Sequence, residues 1–239
     1  MEILIKNIKR FYKKRLAIDD FSWTINFENN NIFALIGPNG AGKTTILKIL
    51  SGIYNFKEGS ISTDTSDQEY PLWARDNISY LQSGDRGIRF RNSVYDNVRY
   101  YGALKGVEAS KTKELYDKYS KFLSMENFRN RNVGGLSTGE KKKASLLCAL
   151  CSNSKIIILD EPSDGLDISS KLDLQKIILK VSKETDTKFI ISTHDLDFIS
   201  DISDNYTFIS KGKNMYQNFT RMGSEEIRKK YLEINSTID

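Results

Sequence analysis

Residues 37–44, GPNGAGKT, combine closely spaced glycines with a lysine and a threonine. They fit the pattern Gly-x-x-x-x-Gly-Lys-Thr, with its fixed positions at Gly37, Gly42, Lys43 and Thr44. Glycines let backbone N–H groups turn toward a phosphate because no Cβ stands in the way. We expect Lys43 to reach the β- and γ-phosphates of a nucleotide and the Thr44 hydroxyl to bind Mg²⁺. The segment therefore predicts a nucleoside triphosphate site.

A second motif supplies two carboxylates. Asp160 and Glu161 come directly after the apolar run 156–159, IIIL. We expect Asp160 to emerge at the end of a buried strand and to hold Mg²⁺, through water. Glu161 is next and points differently, and a carboxylate at that place can orient or deprotonate an attacking water. The two motifs together predict a nucleotidase.

Short apolar runs must position both motifs. The run 32–36 precedes the phosphate loop and is typical of a strand buried on both faces, and a helix is expected after the loop. The runs 156–159 and 189–191 both stop at polar residues. An alternation of strands and helices with chemistry at the strand ends indicates a parallel sheet with its ligand at that edge.

The rest of the chain surrounds this α/β framework. Alternating apolar residues predict strands at 2–5 and 21–27. Helical periodicity with many polar residues predicts an inserted helical subdomain over about 83–150. A terminal hairpin and a short polar helix are expected over about 205–239. No linker divides the sequence, so we predict a single domain over 1–239.

Composition excludes several classes of protein. The 239 residues include 36 basic and 31 acidic ones, for a net charge of +5. The two signs are interleaved rather than gathered in a stripe, so we expect no nucleic-acid partner. No apolar run approaches the ~20 residues that span a bilayer, and the start, MEILIKNIKR, lacks the apolar region of a signal peptide. We therefore expect a cytoplasmic protein whose membrane role, if any, comes through a partner.

The counts of cysteine and histidine restrict metal and redox chemistry. Two cysteines and one histidine exclude a disulfide framework and a four-ligand Cys/His zinc site. Cys148 and Cys151 lie three residues apart in SLLCALCSN, which is typical of one face of a buried helix. We interpret them as small core residues, with a redox or metal-binding pair as the alternative.

Residues 136–140, LSTGE, resemble the LSGGQ signature of ATP-binding-cassette (ABC) proteins, with departures at Thr138 and Glu140. The resemblance extends over nearly the whole chain. Residues 161–167, EPSDGLD, resemble the run from the catalytic glutamate to the D-loop, and residues 192–195, STHD, resemble the switch-histidine segment. The family implies a P-loop NTPase core with a mostly parallel sheet, an N-terminal antiparallel β-subdomain and an inserted α-helical subdomain.

The resemblance also implies roles for single residues. Tyr12 occupies the place of the aromatic residue that stacks on adenine. Gln82 falls near the Q-loop glutamine, about one residue out of the commonest register. The implied catalytic residues are Glu161, His194 and Gln82. The implied metal-binding residues are Thr44, Gln82 and Asp160. The implied nucleotide-binding residues are Tyr12, Gly37, Pro38, Asn39, Gly40, Ala41, Gly42, Lys43, Thr44, Thr45, Ser137 and Gly139.

The family implies ATP and Mg²⁺ as ligands and a head-to-tail dimer with two ATP molecules sandwiched at its interface. In such a dimer Ser137 and Gly139 would contact the γ-phosphate bound by the other subunit. The residues themselves also predict a capping box, because Ser137 and Glu140 have the spacing that closes a helix N-terminus. The two interpretations are compatible, since the same N–H groups serve a cap and an anion. Asp167 is expected to cross the dimer interface rather than bind metal.

Residues 84–98, GDRGIRFRNSVYDNV, resemble a stretch of the ABC subunits that drive type-2 exporters of drugs, antimicrobial peptides, ions or polysaccharides. The family docks its membrane permease here, so we expect docking near Gln82, over residues 82–101. An apolar socket is one interpretation of the apolar and aromatic side chains in this segment, and packing inside the helical subdomain is the other. These side chains are Ile88, Phe90, Tyr95, Tyr100 and Tyr101.

The combined prediction is an ATP-hydrolysing subunit that powers transport, as an exporter, through separate membrane subunits. The rival is a soluble ABC ATPase that acts on nucleic acid or ribosomes, or as a scaffold. Members that clamp DNA have a long coiled-coil insertion and translation factors have two cassettes, and this sequence shows neither feature.

Overall fold

The structure is a computed structural model that describes residues 1–84 and 87–236. The strands are β1 (Glu2–Tyr12), β2 (Arg15–Asn26), β3 (Ile32–Ile36), β4 (Glu58–Thr63), β5 (Ile78–Leu81), β6 (Ile156–Asp160), β7 (Lys188–Thr193), β8 (Asn205–Ser210) and β9 (Lys213–Asn218). The helices are α1 (Lys43–Leu50), α2 (Tyr70–Asn77), α3 (Val94–Leu104), α4 (Ala109–Leu123), α5 (Thr138–Leu150), α6 (Ile168–Glu184), α7 (Leu196–Ser200) and α8 (Ser224–Ser236). Short 3₁₀ turns occupy Glu126–Phe128 and Val133–Gly135.

A six-stranded sheet in the order β5-β6-β7-β3-β8-β9 forms the centre of the molecule. Its strands run parallel except β9, which pairs antiparallel with β8 at one edge. The apolar strands β3 and β6 are buried along their whole length, as expected for strands covered on both faces. The register sets Ile36 beside Thr193 and Asp160 beside Ser192. The carboxyl ends of β3, β6 and β7 therefore meet at one edge of the sheet.

A second, antiparallel sheet has the order β2-β1-β4 and packs against one face of the central sheet. The expected strand 2–5 ends too early, because β1 reaches Tyr12. The expected strand 21–27 begins too late, because β2 begins at Arg15. The β1–β2 register shifts beyond Ile5, and Asn7 there has a φ of 51°. Such irregularities interrupt the alternation from which strands are predicted.

Helices α3, α4 and α5 lie between β5 and β6 in sequence and share a hydrophobic core with the other face of the central sheet. The α/β fold class, with its antiparallel β-subdomain and helical insertion, is confirmed. Cys148 and Cys151 are buried and unpaired in the last turn of α5 and at its end, as the core interpretation expects. Burial raises the pKa of both thiols, which keeps them protonated and unreactive.

No helix among the described residues is long and apolar enough to cross a membrane. The terminal strands β8 and β9 form the expected hairpin, and α8 is the expected polar helix.

Candidate functional site

The phosphate loop joins β3 to α1 at the carboxyl edge of the sheet. Gly42, at the N-cap of α1, has a φ of 109°, and no side chain caps this helix. Gly40 has a φ of 81° and open space around the place of a Cβ. Gly37 is confined instead, because a Cβ there would lie 2.3 Å from the carbonyl oxygen of Ile209. Gly37 therefore allows a close approach of two backbone segments, whereas Gly40 and Gly42 allow a backbone with positive φ.

The backbone N–H groups of the loop are largely without protein acceptors. Over residues 39–45, only the N–H of Ala41 donates to an acceptor in the described chain, the Pro38 carbonyl at 3.2 Å. The first regular helical bond runs from Ile46 N to Gly42 O. A helix start with unpaired N–H groups and no side-chain cap is a ready anion site, so the loop fits a phosphate.

Lys43 is buried, and its ammonium group lies among three acceptors. Nζ donates to the carbonyl oxygens of Gly37 at 2.6 Å and Pro38 at 3.1 Å. It also lies 2.9 Å from Oε1 of Glu161, which is an ion pair between two side chains less than a tenth exposed. The two sequence motifs are therefore joined directly, by the lysine of the first and the glutamate of the second.

Asp160 ends β6 and is 2% exposed. Its Oδ2 accepts hydrogen bonds from the hydroxyls of Thr44 and Tyr80, each at 2.8 Å. Its Oδ1 accepts one from Ser192 Oγ at 2.6 Å. A carboxylate and a threonine hydroxyl in contact form an oxygen donor set of the kind that Mg²⁺ prefers, so these residues fit the metal.

Glu161 has a left-handed backbone with a φ of 50°, which is rare for a residue with a side chain. Its N–H is held by both the carbonyl and the hydroxyl of Ser192, each at 3.1 Å. Its Oε2 lies 2.9 Å from Nδ1 of His194 and accepts the His194 backbone N–H at 3.2 Å. Potential ligand atoms of Glu161, His194 and the exposed Asp164 lie within 4.8 Å of one another. The glutamate thus bridges Lys43 and a largely exposed histidine ring.

Tyr12 ends β1, and its ring is 41% exposed. Its hydroxyl lies 3.4 Å from Oγ1 of Thr45, which places the ring beside the phosphate loop. Tyr54 meets the ring edge-on at 6.1 Å between centroids, and the Arg10 guanidinium lies 5.0 Å from its centre. A supported and exposed ring at this place is compatible with stacking on a base.

Gln82 follows the last residue of β5, whose partner in β6 is Leu159. The register brings Gln82 level with Asp160, and both residues line one cavity of about 330 Å³. No hydrogen bond joins the Gln82 side chain to the other predicted site residues within the described chain. The structure therefore brings Gln82 to the same edge of the sheet, with no hydrogen bond to Asp160 among the described residues.

Ser137 and Gly139 lie apart from this cluster, at the start of α5 on the helical insertion. Ser137 Oγ accepts the Glu140 N–H at 3.2 Å, and Glu140 Oε2 accepts the Ser137 N–H at 2.8 Å, so the expected capping box is present. A Cβ on Gly139 would lie 3.0 Å from Oγ of Ser170 in α6. In the part of the chain that the structure describes, no polar contact joins either residue to the phosphate loop.

The proposed socket residues divide between surface and interior. Phe90 is 43% exposed, whereas Ile88 is 7% exposed and belongs to the core. The ring of Tyr95 packs 5.1 Å from that of Tyr116, and the Tyr101 hydroxyl donates to the carbonyl of Gly87. The internal-packing alternative thus holds for Ile88 and Tyr95, and Phe90 is the surface member. Asp85 and Arg86 of this segment lie outside the described residues.

Sequence reasoning assigned no role to Tyr80 or Ser192, although both bind Asp160. Ser192 follows the apolar run 189–191, the same signal that identified Asp160 after its own run. Tyr80 gave no such signal, because its strand β5 was not predicted.

Comparisons with known proteins identify the family of this chain. A family model described as ABC transporter matches residues 18–164. The tungstate uptake system ATP-binding protein TupC of Peptoclostridium acidaminophilum is 31% identical over 89% of this chain and 96% of its own. The lantibiotic transport ATP-binding protein SrtF of Streptococcus pyogenes is 33% identical over 87% of each chain.

Solved structures share the fold. CbiO1 of Clostridium perfringens, part of the ABC transporter complex cbiONQ, has a TM-score of 0.82 at 23% identity over 98% of this chain and 93% of its own. The ATP-binding cassette MJ0796, dimeric with ADP and Pi bound, has a TM-score of 0.77 at 21% identity over 92% of this chain and 99% of its own. Family model, relatives and fold lead to one conclusion: the chain belongs to the ABC transporter family, as an ATP-binding and ATP-hydrolysing subunit.

Proposed function

We propose that this subunit hydrolyses Mg·ATP with Glu161 as the catalytic base and Asp160 and Thr44 as the metal-binding pair. The observation that carries the proposal is the contact network at the sheet edge. Thr44 donates to Asp160 at 2.8 Å, while Glu161 contacts Lys43 and His194 at 2.9 Å each. These contacts support a single site in which the proposed phosphate-binding, metal-binding and proton-accepting groups act together.

Each side chain has a distinct part in the proposed reaction. The loop N–H groups and the Lys43 ammonium bind the phosphates and neutralise charge that builds up on them. The Glu161 carboxylate takes a proton from the attacking water, and His194 holds that carboxylate while its exposed ring faces the ligand side. Asp160 and Thr44 would hold Mg²⁺, which would supply positive charge against the negative charge of the phosphates. Tyr12 stacks on the adenine. Gln82, directly after strand β5, assists metal binding and catalysis.

We also propose that the site is completed by a second copy in a head-to-tail dimer. Cassettes of this family dimerise. Ser137 and Gly139 make no polar contact with the phosphate loop of their own chain within the described residues. They lie at a helix N-terminus whose positive dipole end suits a phosphate on another subunit. Closure of such a dimer would supply the movement that drives transport.

Subunits of this family work with membrane permeases, and we propose that residues 82–101 dock the permease at the cytoplasmic face of the membrane. The exposed ring of Phe90 supports the proposal, since aromatic side chains anchor interfaces. Gln82, Tyr101 and the 64%-exposed Leu104 line the cavity beside this segment, which adds apolar surface at the same place. The interleaved charges support a protein partner rather than a nucleic acid.

Phe90→Asp tests the docking. The substitution should abolish co-purification of the chain with an integral membrane protein and leave ATP binding intact, because an unpaired carboxylate in an apolar contact costs on the order of several kcal/mol. Phe219→Asp is the matched control, since Phe219 is 50% exposed beyond β9, far in sequence from the docking segment. Thermal melting of both variants checks that they fold.

A folded Phe90→Asp protein that keeps its membrane partner would refute docking through this residue. Salt-sensitive binding of the wild-type chain to ribosomes or RNA, without any membrane partner, would favour the soluble rival instead.

We propose export as the direction of transport, on the resemblance of residues 84–98 to subunits of type-2 exporters. The relatives point to both directions, since SrtF is named for lantibiotic transport and TupC for tungstate uptake. Cells that carry the chain and its membrane partner should survive higher lantibiotic concentrations than cells with Lys43→Ala. Accumulation of tungstate that depends on Lys43 would reverse the assigned direction.

A further inference from the structure

We propose that Tyr80 is a positioning residue that holds the Asp160 carboxylate in the orientation required to bind Mg²⁺. The inference rests on the proposed function, because it takes Asp160 to be the metal-binding carboxylate.

The geometry at Asp160 leaves little freedom to this side chain. The Tyr80 hydroxyl donates to Oδ2 at 2.8 Å, and Thr44 donates to the same oxygen at the same distance. Ser192 holds the other oxygen at 2.6 Å. A tyrosine hydroxyl is protonated near neutral pH and can donate to a carboxylate, so three donors fix both oxygens.

Metal binding would affect the three donors differently. Thr44 is itself a proposed metal ligand, so its hydroxyl must turn to the ion. Ser192 also accepts the N–H of Glu161 and is tied to the catalytic base. Tyr80 has neither duty, and its hydroxyl can keep its bond to Oδ2 throughout. It is the donor that can hold Oδ2 while Thr44 engages the metal.

The position of Tyr80 on β5 gives this bond a second consequence. Strand β5 is an edge strand of the central sheet and, among the described strands, pairs with β6 alone, where Tyr80 lies beside Ile158. Tyr80 is the penultimate residue of β5, and Gln82 directly follows the strand. Both line the cavity that Asp160 also lines. The hydroxyl therefore joins the strand that leads into the docking segment to the metal-binding carboxylate.

The alternative is that Tyr80 serves only to pack. Its ring lies against the core shared by the two sheets, and Lys48 Nζ lies 5.9 Å from the ring centre. Tyr80→Phe keeps the ring and removes only the hydroxyl, so it separates the two roles. Tyr216→Phe is the matched control, because Tyr216 packs against Phe208 at the opposite edge of the same sheet.

The experiment measures metal binding directly, by electron paramagnetic resonance of Mn²⁺ titrated into the full chain with a non-hydrolysable ATP analogue. The Mg²⁺ dependence of ATPase activity is measured alongside. Tyr80→Phe should weaken Mn²⁺ binding by roughly 10-fold and shift the Mg²⁺ requirement by a similar factor, as loss of an outer partner of a metal ligand does. Turnover at saturating Mg²⁺, binding of the analogue without metal and melting temperature should stay near wild type.

Asp160→Asn distinguishes the possible failures. If Asp160→Asn weakens Mn²⁺ binding and Tyr80→Phe does not, the positioning role is refuted and the proposed metal site stands. If Asp160→Asn binds Mn²⁺ like the wild type, the proposed metal site itself is wrong. If Tyr80→Phe lowers the melting temperature and also weakens binding of the analogue without metal, Tyr80 would be assigned to packing alone.

Discussion

Glu161→Gln is the sharpest test of the proposed chemistry, because it keeps the shape of the side chain and removes its charge. The carboxylate now holds Lys43 through Oε1 and His194 through Oε2, each at 2.9 Å. An amide oxygen can still accept one hydrogen bond at this place, but it cannot take a proton from water. We expect ATP to bind, hydrolysis to collapse, and the ATP-bound dimer to accumulate.

The size of the effect follows from these contacts. A positioned general base contributes roughly 10²- to 10⁴-fold to a rate, so turnover should fall by about that factor. Hydrogen bonds to charged groups contribute about 1.5–3 kcal/mol each. Lys43 keeps the carbonyls of Gly37 and Pro38 as acceptors. With that partial compensation, the nucleotide-free variant should lose about 1.5–3 kcal/mol of stability.

Three measurements on purified protein check this prediction: phosphate release, nucleotide binding by fluorescence, and size-exclusion chromatography with Mg·ATP. Asp164→Asn is the matched control, because Asp164 is an exposed carboxylate whose oxygen lies within 4.8 Å of Glu161 and His194. It should hydrolyse ATP at a rate near wild type and show no trapped dimer. Hydrolysis by Glu161→Gln at near the wild-type rate, or equal losses in both variants, would refute the assignment of Glu161 as the base.

Two further substitutions test the phosphate loop. Lys43→Ala should weaken ATP binding by at least 10-fold in equilibrium titrations, since it deletes a charge-assisted contact of roughly 1.5–3 kcal/mol; normal Mg·ATP binding would contradict the phosphate site. Gly37→Ala should lower the melting temperature, because its Cβ would overlap Ile209 O at 2.3 Å and such overpacking costs about 1–3 kcal/mol. An unchanged melting temperature would show that the loop has room the structure does not give it.

Much of the site could be predicted because its chemistry follows apolar runs in the sequence. Asp160 stands directly after the run 156–159, and Lys43 stands in a loop with a fixed glycine spacing. Patterns of this kind involve neighbouring residues only, so they can be recognised without knowledge of the fold. The prediction could not extend to the Lys43–Glu161 ion pair, because that contact depends on the distance between two elements more than a hundred residues apart.

The region from β4 to β5 shows where sequence reasoning ends. Residues 58–81 mix polar and apolar side chains without a sustained period, and a short edge strand such as β5 needs no strong pattern. The place of β5 in the sheet is set by its pairing with β6, which follows the helical insertion in the sequence. The contact between Tyr80 and Asp160 is a product of that pairing, so nothing local to Tyr80 could reveal it.

The resting state of Lys43 has a consequence for which anions can enter the site. Its ammonium already has two carbonyl acceptors and the Glu161 carboxylate, and its side chain is 6% exposed. A ligand that binds at Lys43 must first displace the Glu161 carboxylate, so loss of the ion pair offsets part of the new contact. A phosphate chain long enough to reach the loop N–H groups as well as Lys43 would gain further contacts to offset that loss. We therefore expect a triphosphate to compete with the internal ion pair better than inorganic phosphate does.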